Sequence, residues 1–468
     1  MVGATLLLTM AILLSVRSQF LWHWALTSEP VLYLFVALYV AAGGIYLAVI
    51  GSLRRIVVGR KGVLCILLVG LLMRLALLPS APVLETDSFR YMWDAALTAR
   101  GASPYLHTPE KGKSALTDLD GDSRIRAVAR EAGSHLKQIN HPDVKTIYPP
   151  VAQAAFLLAY WISPWNGAAW RAILLVADAA TVLLLLVLMR HLRLPLAWIA
   201  IYWWNPLLVK EFYCAGHMDA IVLPFVTGAV MLAVMQRTAL AAAALAAAVA
   251  AKFWPVVLLP LLLRSVVRQP RRVALSLAAF TVTAAILLSP MLVAGHSGIA
   301  GSVDYSRSWQ SNDGLFQLVV LLCRHTLPLV GVHAWAEQMA ARLTVTLVLV
   351  AWVLWLARRP LNDPLELCEA SLLAVAGLFL LSPTQFPWYY TWMLPLLALR
   401  PRWSLLLYTA LLPLYHLHYS RPAWVWVEHL PVWAFLSLES FARVRSRNLS
   451  SRVQVSFHDP APITTSIP

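Results

Sequence analysis

Long apolar runs separated by short basic clusters dominate this chain. Val31–Ile50 and Val273–Leu288 are typical runs, and a helix that crosses a bilayer needs about 20 consecutive apolar residues. A transmembrane β-barrel would instead alternate apolar and polar positions in segments of about ten residues. The pattern predicts an all-α polytopic membrane protein. Spans at about 4–16, 31–50, 62–79, 168–189, 195–208, 219–236, 238–251, 254–264, 273–292, 342–357, 367–382, 388–399, 403–418 and 424–438 give roughly 12–14 crossings. Several are short for a crossing at about 1.5 Å per residue.

Basic clusters orient these spans, because cytoplasmic loops carry the excess of Lys and Arg. Arg54 to Lys61, Arg190 to Arg193, Arg264 to Arg272, Arg358-Arg359, Arg400 to Arg402 and Arg443 to Arg447 are therefore placed inside, as are both termini. Two apolar segments then have no room to cross. Residues 149–163 and 315–330 both start outside and precede helices that run inward. They are expected to lie in the interface or to re-enter. The segments left on the outside are 80–148, 210–219, the 251–254 turn, 293–313 and 382–390. Residues after Val444 are polar and predict a disordered cytoplasmic tail over 444–468.

Composition sharpens this picture. The chain has 468 residues, 60% hydrophobic and 13% charged, with 22 Asp plus Glu. Nine of those carboxylates fall in the 69-residue polar stretch 80–148. A membrane protein that concentrates its acids in one outer loop is expected to do its chemistry there. The net charge of +15 lies in the membrane-anchoring clusters, so no nucleic-acid partner is expected. Four cysteines, Cys65, Cys214, Cys323 and Cys368, are scattered singly and form neither a metal-ligand spacing nor a disulfide framework. No phosphate-binding P-loop or dinucleotide fingerprint occurs.

The candidate chemistry is on the outer segments. Asp87 stands where the 62–79 span leaves the membrane and could act as a general base. Arg90 and Asp94 follow at i+3 and i+7, on one face of a helix. A solvated helix start, with Asp87 favoured by the dipole, is the other reading. His141 could be a ligand or a proton shuttle. His217 and Asp219, in Gly216-His-Met-Asp219, could bind a sugar or a cation, or Asp219 could simply cap the next helix. Lys252 interrupts apolar sequence, where a charge is costly and marks a functional site unless it snorkels. Arg307 is a further outer cation. Tyr148, Trp388 and Tyr389 are candidates for a lipid or sugar platform, or for an ordinary interfacial aromatic belt. No metal site is assigned. A divalent cation stays possible as a cofactor, but too few carboxylates stand close together in sequence to hold one.

Seven short stretches in order resemble the bacterial mannosyltransferase-like members of the GT-C class of integral-membrane glycosyltransferases. They are Thr86 to Asp94, Gly101 to Tyr105, Ile139 to Pro150, Trp204-Asn-Pro206, Gly216 to Asp219, Ala251 to Pro255 and Pro383 to Tyr390. The resemblance implies a helical bundle with a large first outer loop carrying interfacial helices. It implies that residues 1–443 form the transferase domain and that the protein is a multi-pass protein of the plasma (inner) membrane. It also implies inverting transfer of a hexose, mannose foremost, from a polyprenyl-phosphate donor to a glycan or lipid acceptor. Asp87 occupies the position of the base. Thr86 replaces the first of two adjacent carboxylates seen in many relatives, and Ala95 replaces a glycine. The first departure weakens any two-carboxylate metal scheme. A flippase for a lipid-linked sugar and a noncatalytic subunit of an envelope-glycan assembly are the alternative readings.

Overall fold

The computed structural model describes residues 1–25, 28–118, 121–331, 336–360 and 363–456. Every regular element among them is helical, and the one β-bridge pairs Ser311 with Thr384. Five helices are long and apolar enough to cross a membrane: Glu29–Leu53, Gly167–His191, Pro270–Val293, Glu337–Arg358 and Pro364–Leu381. A sixth span is possible from Pro206–Cys214 and Met218–Val234, which together are apolar enough but meet at 104°. Other spans expected from hydropathy are shorter apolar helices, Thr238–Ala251 and Trp403–Leu417 among them. The protein is an all-α polytopic membrane protein.

The two segments denied a crossing by the charge pattern form the helices Pro150–Ile162 and Gly314–Thr326, each of 13 residues. At 1.5 Å per residue each is about 20 Å long, short of a hydrocarbon core of about 30 Å. At the C-terminus the Trp424–Ser456 helix continues past Val444, where the polar tail was expected to begin. Residues 457–468 of that tail lie outside the described residues.

Backbone chemistry makes the breaks that shape the site. Asn205 caps a short helix by accepting from the amides of Leu207 and Leu208, and Pro206 follows at the first helical position, where its missing N–H costs nothing. The chain then widens into a π-helical turn over Lys210–Cys214. Gly216 reverses direction with φ of +80°, a conformation that a side chain disfavours. Its carbonyl accepts from the Trp170 indole at 2.6 Å. This bend delivers His217 and Asp219 to the end of the bundle.

A buried ion pair anchors the same region. Arg74 Nε donates to Asp178 at 2.7 Å, with both side chains fully buried. The hydroxyls of Tyr202 and Tyr213 donate to the same carboxylate at 2.6 and 2.8 Å. A charge inside a bundle is tolerable only when partnered in this way.

Part of the 80–148 stretch forms a small subdomain of its own. The helices Asp87–Ala99, Pro109–Ala115 and Ser123–Ala132 close on a core that includes Phe89, Trp93, Ile125, Val128 and Leu136. Asp94, at its base, is fully buried. It pairs with Arg90 at 2.9 Å and accepts from Thr146 at 2.5 Å and Gln153 at 2.9 Å. The loop is thus pinned to the Pro150–Ile162 helix, which sets where Asp87 points.

Candidate active site

The 80–148 stretch, the Gly216 bend, the Lys252 turn, the His296–Ser308 helix and the 382–390 segment converge on one cavity of about 990 Å³. That is the upper end of the range for small-molecule sites. Asp87, Arg90, Asp219, Lys252, Arg307, Tyr148, Trp388 and Tyr389 all line it. Residues hundreds of positions apart are joined there.

Asp87 is the first residue of its helix, and its side chain keeps 21% of its exposure. Asn140 donates to one carboxylate oxygen at 3.3 Å. The other oxygen is 3.7 Å from His217 Nδ1. Burial pushes the carboxyl above its ordinary range, against the pull of the Asn140 hydrogen bond and the Lys252 charge. A raised carboxyl is a stronger base once ionised. Glu85 is also pushed well up, chiefly by burial.

Lys252 ends the Thr238–Ala251 helix in extended backbone, with φ −160° and ψ 137°. Its ammonium donates to Asp219 at 2.6 Å and stands 4.2 Å over the Tyr389 ring. Asp219 also accepts from the Trp392 indole at 2.5 Å. Burial lowers the lysine's proton affinity and the Asp219 carboxylate offsets part of that. Asp219 therefore holds the lysine in place, rather than only capping the next helix. Arg90 donates to Asp94 and, at 2.9 Å, to the Val144 carbonyl. Its remaining nitrogen, Nη2, is buried without a partner. Arg307 is exposed and lines the same cavity.

Two expected site residues, Asp94 and His217, do not line the cavity. Asp94 is spent on fixing Arg90 and the loop. His217 is fully buried behind Asp87 and stacks on Trp388 at 3.9 Å. It reaches Asp87 and Glu211 rather than the cavity. Trp388 stacks on Phe386 at 4.3 Å as well, so its faces are already covered. Tyr389 stacks on Trp392 at 4.5 Å and meets the Tyr305 hydroxyl at 2.6 Å. Trp388 and Tyr389 act as packed walls more than as open stacking platforms. Tyr148 stands edge-on to Tyr91 at 5.0 Å.

Sequence reasoning missed the third wall. Tyr415, His416, His418 and Tyr419 line the cavity, although 403–418 reads as one more span. Two histidines at the end of an apolar run were the available signal. Asn140 was in a noted stretch, but only folding brings it to Asp87. A parallel bridge ties the 293–313 segment to the 382–390 segment: Ser311 N donates to the Pro383 carbonyl at 3.0 Å and Gln385 N to the Ser311 carbonyl at 2.9 Å. Among the described residues, no three His, Cys, Asp or Glu side chains are grouped to hold a metal ion.

Comparison with known families finds a match. The family model of glycosyltransferase family 87 matches residues 146–383, just over half of the chain. The matched region includes Tyr148, His217, Asp219, Lys252 and Arg307 and leaves out Asp87, Arg90, Trp388 and Tyr389. No curated protein matches the chain.

Proposed function

The chain belongs to glycosyltransferase family 87, and from that premise we propose that this membrane-embedded transferase moves a hexose, mannose foremost, from a polyprenyl-phosphate donor to a hydroxyl of a glycan or lipid acceptor. The observation that carries the reading is one cavity at the end of the bundle. It joins a carboxylate of raised proton affinity, Asp87, to the cations Lys252, Arg90 and Arg307. No nucleotide-binding signature accompanies it, which favours a donor delivered within the bilayer.

In this reading Asp87 takes the proton of the acceptor hydroxyl. The freed oxygen attacks the anomeric carbon, and the bond from that carbon to the phosphate oxygen breaks. The electron pair leaves with the polyprenyl phosphate, and the configuration inverts. Lys252 meets the charge that develops on the leaving phosphate, with Arg90 and Arg307 as further cations. Such preorganised charge is usually the largest catalytic contribution. Asn140 holds Asp87 from the side, and His217 packs behind it. The cavity is taken to face the outside of the plasma membrane, as the charge pattern of the loops indicates.

The test is an assay of the purified, reconstituted protein with a panel of polyprenyl-phosphate sugars and, separately, nucleotide sugars. Transfer from the mannose-bearing lipid with inverted product linkage is the expected outcome. Transfer from nucleotide sugars alone would reject the lipid donor. Movement of the intact lipid-linked sugar across vesicles without transfer would favour the transporter reading.

A further inference from the structure

The end of the bundle away from the catalytic cavity carries a second polar site. The Glu29–Leu53 and Trp424–Ser456 helices run between the two ends. At the cavity end, Phe35 meets the ring of His416 at 6.4 Å, and Tyr33 stands 6.4 Å from Trp424. Arg54 follows the last residue of the first helix. From Phe35 to Arg54 a helix rises about 28 Å, close to the hydrocarbon thickness of about 30 Å. Arg54 is therefore at the opposite membrane surface, the one that the charge pattern assigns to the cytoplasm. There Arg54, Arg443 and Glu439 line a cleft of about 210 Å³, together with Trp198 and Trp403. Ile50 and Ile201, both buried, close its apolar floor.

Charge around this cleft is unbalanced. Glu369 pairs with Arg400 at 2.7 Å and with Arg402, and Arg443 stands 3.9 Å from it. Glu439 caps the Trp403–Leu411 helix: it accepts from the amides of Trp403 and Ser404 at 3.2 and 3.1 Å and from the Ser404 hydroxyl at 2.6 Å. Arg443 donates to Glu439 at 3.1 Å and to the Pro401 carbonyl at 3.0 Å. Arg54 is exposed, and its guanidinium stands 6.0 Å over the Trp403 ring. Among the described residues it pairs with no carboxylate. In this linked cluster four arginines meet two carboxylates, which leaves two positive charges. Glu439 already holds four donors, so it repels an incoming anion less than a free carboxylate would. The floor below the arginines is apolar, and the indoles of Trp198 and Trp403 are partly exposed, as suits the headgroup level of a membrane. An anion joined to an apolar chain uses both halves of such a cleft. A free phosphate would leave the floor unused.

We propose that this cleft is a binding site for an anionic glycerophospholipid of the adjacent leaflet, with Arg54 and Arg443 on the phosphodiester and Trp198 and Trp403 beside the glycerol esters. Basic pockets between membrane helices on the cytoplasmic side recognise such headgroups. The site is separate from the one that takes the sugar donor and the acceptor. It grips the first turn of the Trp403–Leu417 segment, whose far end supplies Tyr415 and His416 to the catalytic cavity. The lipid thus braces, from one membrane surface, a helix that builds the cavity at the other.

The experiment is native mass spectrometry of the purified full chain in detergent, titrated with phosphatidylglycerol and, separately, with phosphatidylcholine. One phosphatidylglycerol should bind about tenfold or more tighter than the neutral lipid. Arg54→Gln should weaken it about fivefold, the share of one cation near a membrane surface, and Arg54→Glu by the square of that factor. Arg54→Lys, which keeps the charge, should retain most of the affinity. Arg54 is exposed, so these variants should fold as the parent does. Arg55 is the control: it is exposed and adjacent but does not line the cleft, and Arg55→Gln should leave binding unchanged. Equal weakening by Arg55→Gln would show diffuse attraction to a basic surface, and equal binding of phosphatidylcholine would show ordinary boundary lipid. Displacement of the lipid by millimolar glycerol phosphate would show a site for a soluble anion. Each of these results, like an Arg54→Gln variant that binds as the parent, overturns the proposal. No sugar donor is present, so the outcome is independent of the transfer reaction.

Discussion

Asp87 is held between two opposing influences. Burial raises its proton affinity, and the Asn140 hydrogen bond and Lys252 lower it, with burial dominant. As the base it must be ionised, so activity should rise with pH through a raised carboxyl value. Removing Asn140 removes a lowering influence. Asn140→Ala should therefore move the acid limb of the kcat/KM profile to higher pH, and an unmoved limb would separate Asn140 from the base. Asp87→Asn should lower turnover by about 10²-fold or more, the usual cost of a lost base. Because the folded state disfavours the ionised carboxylate, this variant should be at least as stable as the parent at neutral pH. Near-normal turnover of folded Asp87→Asn would dismiss the residue. For Lys252, the Met variant should raise the donor KM strongly, and the Arg variant should keep part of the affinity, charge being retained and shape changed. An unchanged donor KM in Lys252→Met would leave the lysine only its structural bond to Asp219.

One helix meets the polar loop through a tight backbone approach. The His296–Ser308 helix carries Tyr305 and Arg307 into the cavity. Gly301 is where it meets the loop, and a methyl group there would stand against the carbonyl oxygens of Lys145 and Thr146. Backbone atoms cannot swing aside as a flexible side chain can. Gly301→Ala should push the helix off the loop, break the 2.6 Å contact of Tyr305 with Tyr389 and cut kcat/KM by about tenfold. A displacement of about 1 Å is enough for a loss of that order or more. Turnover equal to the parent's would show that the helix does not need this docking. The same position illustrates a limit of sequence reasoning: a glycine within a polar segment resembles any turn glycine until the partner backbone is known.

At the scale of the whole molecule, the arrangement predicts a topology. The 80–148 loop and the turn after the Pro150–Ile162 helix should face the same side. Single cysteines at the exposed positions 111 and 166, in a background lacking Cys65, Cys214, Cys323 and Cys368, should both react with an impermeant thiol reagent on intact cells. Protection of position 166 until the membrane is opened would mean that the 13-residue helix crosses.

Hydropathy and charge by themselves determined the helical, membrane-embedded class, because the length of an apolar run and the position of Lys and Arg answer to the bilayer and not to neighbouring helices. They also singled out the polar loop and the residues Asp87, Asp219 and Lys252, because charged groups beside so much apolar sequence are costly unless used. Tertiary structure decided what each polar residue touches. Asp94 and Arg90 read as equals on one helix face, yet packing buries Asp94 under Thr146 and Gln153 and leaves Arg90 at the cavity. His217 read as a candidate ligand of a sugar or a cation, yet the reversal at Gly216 turns it behind Asp87. The His416 wall left only two histidines at the end of an apolar run as its signal. It arises where helices far apart in the chain meet, and a one-dimensional pattern carries the polarity of each face but not the identity of the face opposite.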